Sequence, residues 1–425
     1  MTPEVKERIE QLRHGIVPEG YQKTKAGILP KDWSMYTLGD CLERVERPVK
    51  VQADEMYTQI GIRSHGKGVF YKEPVTGESL GNKPVFWIEP NCFVLNIVFA
   101  WEQAIGKTTQ NEVGMIGSHR FPMYRPVDDK VDIDYLIANL MTKRGKDILE
   151  AASPGGAGRN RTLGQERFMR SKLVLPPIAE QRYIADILTA QDKVIELKEK
   201  QLAEKHRQKK YLMPQLLSGK KRLRGFDDEW ETARLGQISK RIRERNHIGS
   251  TNVMTISAQF GLINQEEFFN KTIASDDKSN YFLLHRNDFA YNKSYSTGYP
   301  YGAIKRLTRY DSGIVSPLYI CFRIKRMDVS VDFMAHYFEA GLMNREIQAF
   351  AQEGARNHGL LNIAVEDFFN SKITLPPFEE QQAIAAILTT ADKEIDLLRQ
   401  DLEQEKQKKK ALMQLLLTGI VRVNK

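Results

Sequence analysis

The chain has 425 residues, which is long for one domain and suits two or three. Apolar residues make up 41% and charged residues 28%, so there is material for real cores under an ordinary polar surface. No apolar run approaches the roughly 18 residues that cross a bilayer, and residues 1–10 are acidic and polar where a secretory signal is basic and then apolar. The expectation is a cytoplasmic protein with no membrane partner. The net charge of +9 favours acidic partners, nucleic acid foremost. Cys41, Cys92 and Cys321 are far apart and odd in number, which fits neither a disulfide framework nor a CxxC metal site.

Residues 1–171 open the chain with short alternating segments, such as 56–62 and 93–99, separated by Gly/Asn/Pro clusters. They read as a mostly β domain with a helix near 132–150. Its polar loops carry Arg63, His65 and Lys67, then Lys107, then Arg159, Asn160 and Arg161. Arg and Asn can make paired hydrogen bonds to guanine and adenine edges, and Lys holds phosphates. These residues are candidate DNA contacts.

Residues 172–219 read as a strand end and then a long helix. Pro176-Pro177 suits a helix start. Ile184, Leu188, Ile195, Leu202, Leu212 and Leu216 fall at coiled-coil spacing. Forty residues at 1.5 Å each give a rod of about 60 Å. Pro214 is placed to kink its end. Residues 220–371 form a second mostly β domain, with segments at 282–291 and 318–324 and a helix near 332–352. Its candidate DNA contacts are Lys293, Tyr295, Tyr299, Arg356, Asn357 and His358. Residues 372–425 form a second long helix, with Ile384, Leu388, Ala391, Ile395, Leu398, Leu402, Leu412 and Leu416 on its seam.

The two helical segments are copies. Residues 172–223 and 372–423 align without a gap at an offset of 200, and 24 of 52 positions are identical. The domains repeat more faintly. Trp33, Leu38 and Gly39 answer Trp230, Leu235 and Gly236. Asn91, Phe93 and Asn96 answer Asn287, Phe289 and Asn292, and Phe168 answers Phe368. Two similar seams in one chain predict an antiparallel coiled coil with itself. The fold class is α+β: two domains and two repeated helices, related by a pseudo-twofold repeat. The lysines at 209–210 and 406–410 read as solvated helix faces.

Catalytic motifs fail when tested. Gly106-Lys107-Thr108 mimics a phosphate loop, but the required first glycine is Trp101. Asp186 with Glu196 and Lys198 mimics a nuclease carboxylate–lysine set inside a heptad helix, where such charges are surface pairs. No histidine pair has metal-ligand spacing, and no glycine-rich turn follows a strand as a methyl-donor site requires. No metal and no cofactor is expected in this chain.

Leu175-Pro176-Pro177 with Glu180-Gln181 and Ile184-Ala185, closing on Leu216, Leu217, Ser218 and Gly219, resembles the repeated region of type I restriction–modification specificity subunits. The second copy closes on Leu416, Leu417, Thr418 and Gly419. Gly27-Ile28-Leu29-Pro30 with Trp33, and Gly225-Phe226 with Trp230 and Leu235-Gly236, resemble the openings of that family's two target-recognition domains. The resemblance implies a non-catalytic subunit that binds double-stranded DNA. Each domain reads half of a split, asymmetric site, and the helices space the halves. It also implies docking of two modification subunits that bring S-adenosylmethionine and adenine methylation, and of restriction (motor-nuclease) subunits in the full complex. A coiled-coil scaffold with protein-binding β-rich domains is the alternative.

Overall fold

A computed structural model of the chain describes residues 3–24, 27–155, 161–257, 260–269, 277–296, 298–353 and 361–423. The chain divides into two compact units, Met1–Glu199 with Asp401–Lys425, and Lys200–Gln400. Each unit joins one β-rich domain to half of each long helix.

The first unit is built on a four-stranded antiparallel sheet. Its order is Ile105–Lys107, Phe93–Leu95, Met123–Pro126 and Leu42–Val45. The second unit repeats that order with Ala303–Arg306, Phe289–Asn292, Ile320–Ile324 and Ser239–Arg241. Smaller pairs repeat too. Strands Val85–Trp87 and Ile116–Ser118 in the first unit match Phe282–His285 and Ser312–Val315 in the second. The expected segments 56–62 and 282–291 each prove to be two strands, the second pair separated by a turn at 286–287. At the turn entering Phe93 and Phe289, Asn91 and Asn287 both take positive φ, 56° and 75°. Asparagine tolerates that region better than most residues, which explains the repeated asparagine.

Each expected domain helix is a broken pair. Ile133–Leu140 and Lys143–Ala151 replace one helix at 132–150, and Val331–Glu339 and Asn344–Phe350 replace one at 332–352. Asp132 and Thr142 cap the first pair by accepting backbone N–H groups, so a new N-terminus starts inside the apolar pattern. The repeated Leu-Gly has a packing cause. A Cβ at Gly39 would lie 3.3 Å from the carbonyl oxygen of Met169, and one at Gly236 equally close to that of Phe369. The short helices Gln165–Met169 and Val365–Asn370 thus cross directly over these glycines.

The cores centre on stacked aromatic pairs. Phe93 stacks on Phe168 in the first unit and Tyr291 on Phe368 in the second, and all four are buried. The long helices enter these cores. Ile184, Leu188 and Leu416 lie in the first. Leu216, Ile384 and Leu388 lie in the second.

The central helix, Ile178–Leu217, starts directly after Pro177, and the C-terminal helix, Phe378–Leu416, directly after Pro377. Pro214 does not end the first: the helix continues to Leu217, and the Pro214 carbonyl accepts from the backbone N–H of Ser218. The two helices pair antiparallel within each unit. In the first, Gln191 donates to Glu405 at 2.6 Å, Lys409 pairs with Asp192 at 2.5 Å, and Lys198 pairs with Asp401. In the second, Lys205 pairs with Glu394 at 2.8 Å, and Lys209 with Asp392. Several lysines expected to be plain solvated charge are therefore cross-helix partners. The seam residues Ile184, Leu188, Ile384, Leu388, Ile395 and Leu402 are buried, and Ile195, Leu202, Leu212, Leu398 and Leu412 are half-buried.

Candidate nucleic-acid interface

The repeated Glu-Gln pair at each helix start fastens helix to domain. Gln181 is buried. Its amide nitrogen donates to the carbonyls of Lys130 and Pro176, both at 2.9 Å, and its oxygen accepts from the Asp132 backbone N–H. Gln381 does the same with Asp328, Pro376 and Ser330. Glu180 accepts the Trp33 indole N–H and a forked pair of bonds from Arg422. Glu380 accepts the Trp230 indole N–H and the same fork from Arg222. A buried carboxylate is tolerable when a guanidinium and an N–H donor satisfy it. The helix motif and the domain-opening tryptophan are thus one device. In the first unit the N-terminal segment adds to it: Tyr21 donates its hydroxyl to the Gly419 carbonyl at 2.5 Å, and Arg8 donates to that of Ile420.

This scaffold carries the candidate loops. Arg63, His65 and Lys67 sit exposed on the tip of the hairpin formed by Ile60–Ile62 and Val69–Tyr71. The tip is held, not loose. The His65 backbone N–H donates to Glu102 at 2.8 Å, that of Gly66 donates to Gln103 at 2.9 Å, and the Ser64 hydroxyl donates to the Glu102 carboxylate. His65 has a φ of 62°. Gly66 has a φ of 64°, which favours glycine, and a Cβ there would meet the Met141 sulfur at 2.5 Å. The Arg63 guanidinium lies 4.9 Å over the Phe70 ring, which fixes its direction. Arg161 lies 5.5 Å over the Trp101 ring, one residue from the Glu102 that holds the hairpin. The structure therefore gathers Arg63, His65, Lys67 and Arg161 around one support, residues 101–103. That support had no signal in the sequence, because its contacts reach the hairpin from some 40 residues along the chain.

Lys107 is set apart from that group by its ion pair with Asp134 at 2.5 Å. In the second unit Tyr295 is exposed and Lys293 half-buried. Tyr299 faces inward. Its hydroxyl donates to Glu339 at 2.6 Å and accepts from Lys305 at 2.9 Å. Burial, and then the Glu339 carboxylate, push its pKa well up. Arg159, Asn160, Arg356, Asn357 and His358 lie outside the described residues. Among the described residues, no group of His, Cys, Asp and Glu is arranged to hold a metal, and no helix is long and apolar enough to cross a membrane.

A duplicated pair of β-rich domains, each clamped to an antiparallel helix pair and each presenting polar loops, is the architecture of a recognition subunit. The family model for the type I restriction modification DNA specificity domain matches residues 30–205 and again 227–407, so the chain belongs to that family. Its part in such an enzyme is DNA sequence recognition; it is not itself the catalyst. The chain is 25% identical over 446 residues to a putative type I restriction enzyme MjaX specificity subunit of Methanocaldococcus jannaschii, covering 95% of this chain and 97% of that one. It is 23% identical over 450 residues to the MjaVIII specificity subunit of the same organism, covering 95% and 96%. Among solved structures, its fold is similar to the HsdS subunit from Thermoanaerobacter tengcongensis, with a TM-score of 0.52 at 18% identity, covering 92% of this chain and 98% of that one. It is also similar to the S subunit of a type I system from M. genitalium, with a TM-score of 0.54 at 11% identity, covering 90% and 96%.

Proposed function

We propose that each unit reads one half of a bipartite, asymmetric double-stranded DNA site, and that the helix pair sets the gap between the halves. The carrying observation is the repeated sheet order with unlike loops: one scaffold, used twice, presents different side chains. In the first unit Arg63 and His65 reach base edges, and Lys67 and Arg161 hold phosphates. Arg159 and Asn160 are further DNA contacts. In the second, Lys293 and Tyr295 hold the backbone, and Arg356, Asn357 and His358 are further DNA contacts. The tethered Lys107 and Tyr299 shape their loops without touching DNA.

The helices dock two adenine-methyltransferase subunits, which bring S-adenosylmethionine, and restriction subunits join that assembly in the cytoplasm. An outer stripe on the central helix supports this. Tyr183, Ile187, Ala190, Val194 and Leu197 recur at four- and three-residue steps, and Leu197 is 53% exposed. Such spacing suits a further helix laid alongside. Exchanging residues 35–170 for those of a relative with another target tests the assignment. The first half-site changes and the second does not; a change in both contradicts one unit, one half-site.

A further inference from the structure

The two units differ at one matched position in a way that leaves a site open in the first. Helices Ile133–Leu140 and Val331–Glu339 are the same element, entered through Asp132 and Ser330, whose backbone N–H groups go to Gln181 and Gln381. Six residues past these caps stand Ala138 and His336. His336 fills its surroundings. Its Nε2 lies 3.0 Å from the Thr389 hydroxyl, and its Nδ1 lies 3.9 Å from Asp392, which also pairs with Lys209. At the offset of 200, the first unit has Thr189 and Asp192 in those places. Ala138 has no side chain to reach them.

In the first unit a cleft of about 820 Å³ lies at this place. It is lined by Ala138, Leu188, Met413 and Leu417, by Thr189 and Asp192, and by His65 of the held hairpin. Its rim is cationic. Lys143, Arg144 and Lys410 line it, all exposed, and none of them has an ion-pair partner among the described residues. The acids at the cleft are already matched, Asp134 by Lys107 and Asp192 by Lys409.

We propose that this cleft receives an acidic segment of a methyltransferase subunit, with an aromatic or imidazole side chain entering beside Thr189 and Asp192 as His336 does in the second unit. The inference rests on the reading that such subunits dock on the helices, and it adds that the two docking positions are unequal. Charge selects the partner: three unmatched cations on the rim call for an anion. Depth selects protein over DNA, because a phosphate backbone gains nothing from an apolar floor, whereas a side chain buried there gains contact area.

The test titrates the full-length chain with the methyltransferase subunit of its own system, following both binding steps by calorimetry and native mass spectrometry. Ala138→His supplies the missing plug, and one of the two steps weakens at least tenfold while the other is unchanged. The double variant Lys143→Glu/Lys410→Glu, which leaves the cleft floor intact, weakens the same step. Two wild-type steps in both variants overturn the cleft while leaving docking on the helices intact. Weaker DNA binding by the variants, with both protein steps intact, makes the cleft a nucleic-acid site and also overturns it. A wild-type chain that binds no methyltransferase overturns the docking reading and the cleft together.

Discussion

Arg422 forks onto Glu180, its Nε 2.7 Å from one carboxylate oxygen and its Nη2 2.8 Å from the other. Glu180 is 6% exposed, so this fork is most of what makes its charge tolerable. Removing one partner of a buried pair costs more than the pair contributes, because the other charge stays buried. Arg422→Ala therefore destabilises the first unit by about 2 kcal/mol, at the low end because the guanidinium keeps some solvent. Glu180→Gln costs less, since a neutral amide still accepts the Trp33 N–H. Urea denaturation of both variants checks the order; equal losses contradict it.

His336 makes the second unit sensitive to acid. Burial, the largest cause, holds its pKa below the ordinary 6.5, against an opposing pull from Asp392. The folded state thus keeps the ring neutral where the unfolded state takes a proton. Its contribution to stability is complete above about pH 6.5 and is lost as pH falls below that. Thermal unfolding between pH 7.5 and 5 shows a declining midpoint, and His336→Asn flattens the decline. An equal slope in the variant contradicts the assignment.

Lys67 is exposed on a held hairpin, so its loss leaves the fold alone. Lys67→Ala weakens binding to specific and unrelated DNA alike and lowers the log–log salt slope by about one. Arg63→Ala instead relaxes sequence preference at one position of the first half-site. Fluorescence anisotropy across a salt series separates the two. A Lys67 variant with altered preference and unchanged slope reverses the roles.

The spacer claim has a length test. One heptad inserted at matched points in both long helices adds about 10 Å, close to three base pairs of duplex at 3.4 Å each. The gap between half-sites widens by that amount or recognition fails. An unchanged gap with full recognition removes the helices from any part in spacing.

Much of the architecture was legible because it is repeated. Pro176-Pro177 marked a helix start, the 200-residue offset marked the duplication, and the seam leucines marked antiparallel pairing. Glu180 and Gln181 stood out as repeated, but their work was hidden, because their partners, Trp33, Arg422 and the Lys130 carbonyl, lie far along the chain. The candidate loops were legible only by residue type. Lys107 and Tyr299 share the composition of a DNA contact, yet Asp134 and Glu339 hold them, and pairings across 27 and 40 residues leave no local pattern. The caps Asp132 and Thr142 were readable in principle, since Thr142-Lys143-Arg144-Gly145 interrupts the apolar pattern where the second helix starts.

On the proposed reading, this chain alone sets which DNA sequence its complex recognises. Genome-wide mapping of adenine methylation tests it most directly, in a host expressing the system's methyltransferase subunit with and without this chain. A split, asymmetric motif then appears only when the chain is present. Methylation unchanged by the chain, with the methyltransferase shown to be expressed, would contradict it.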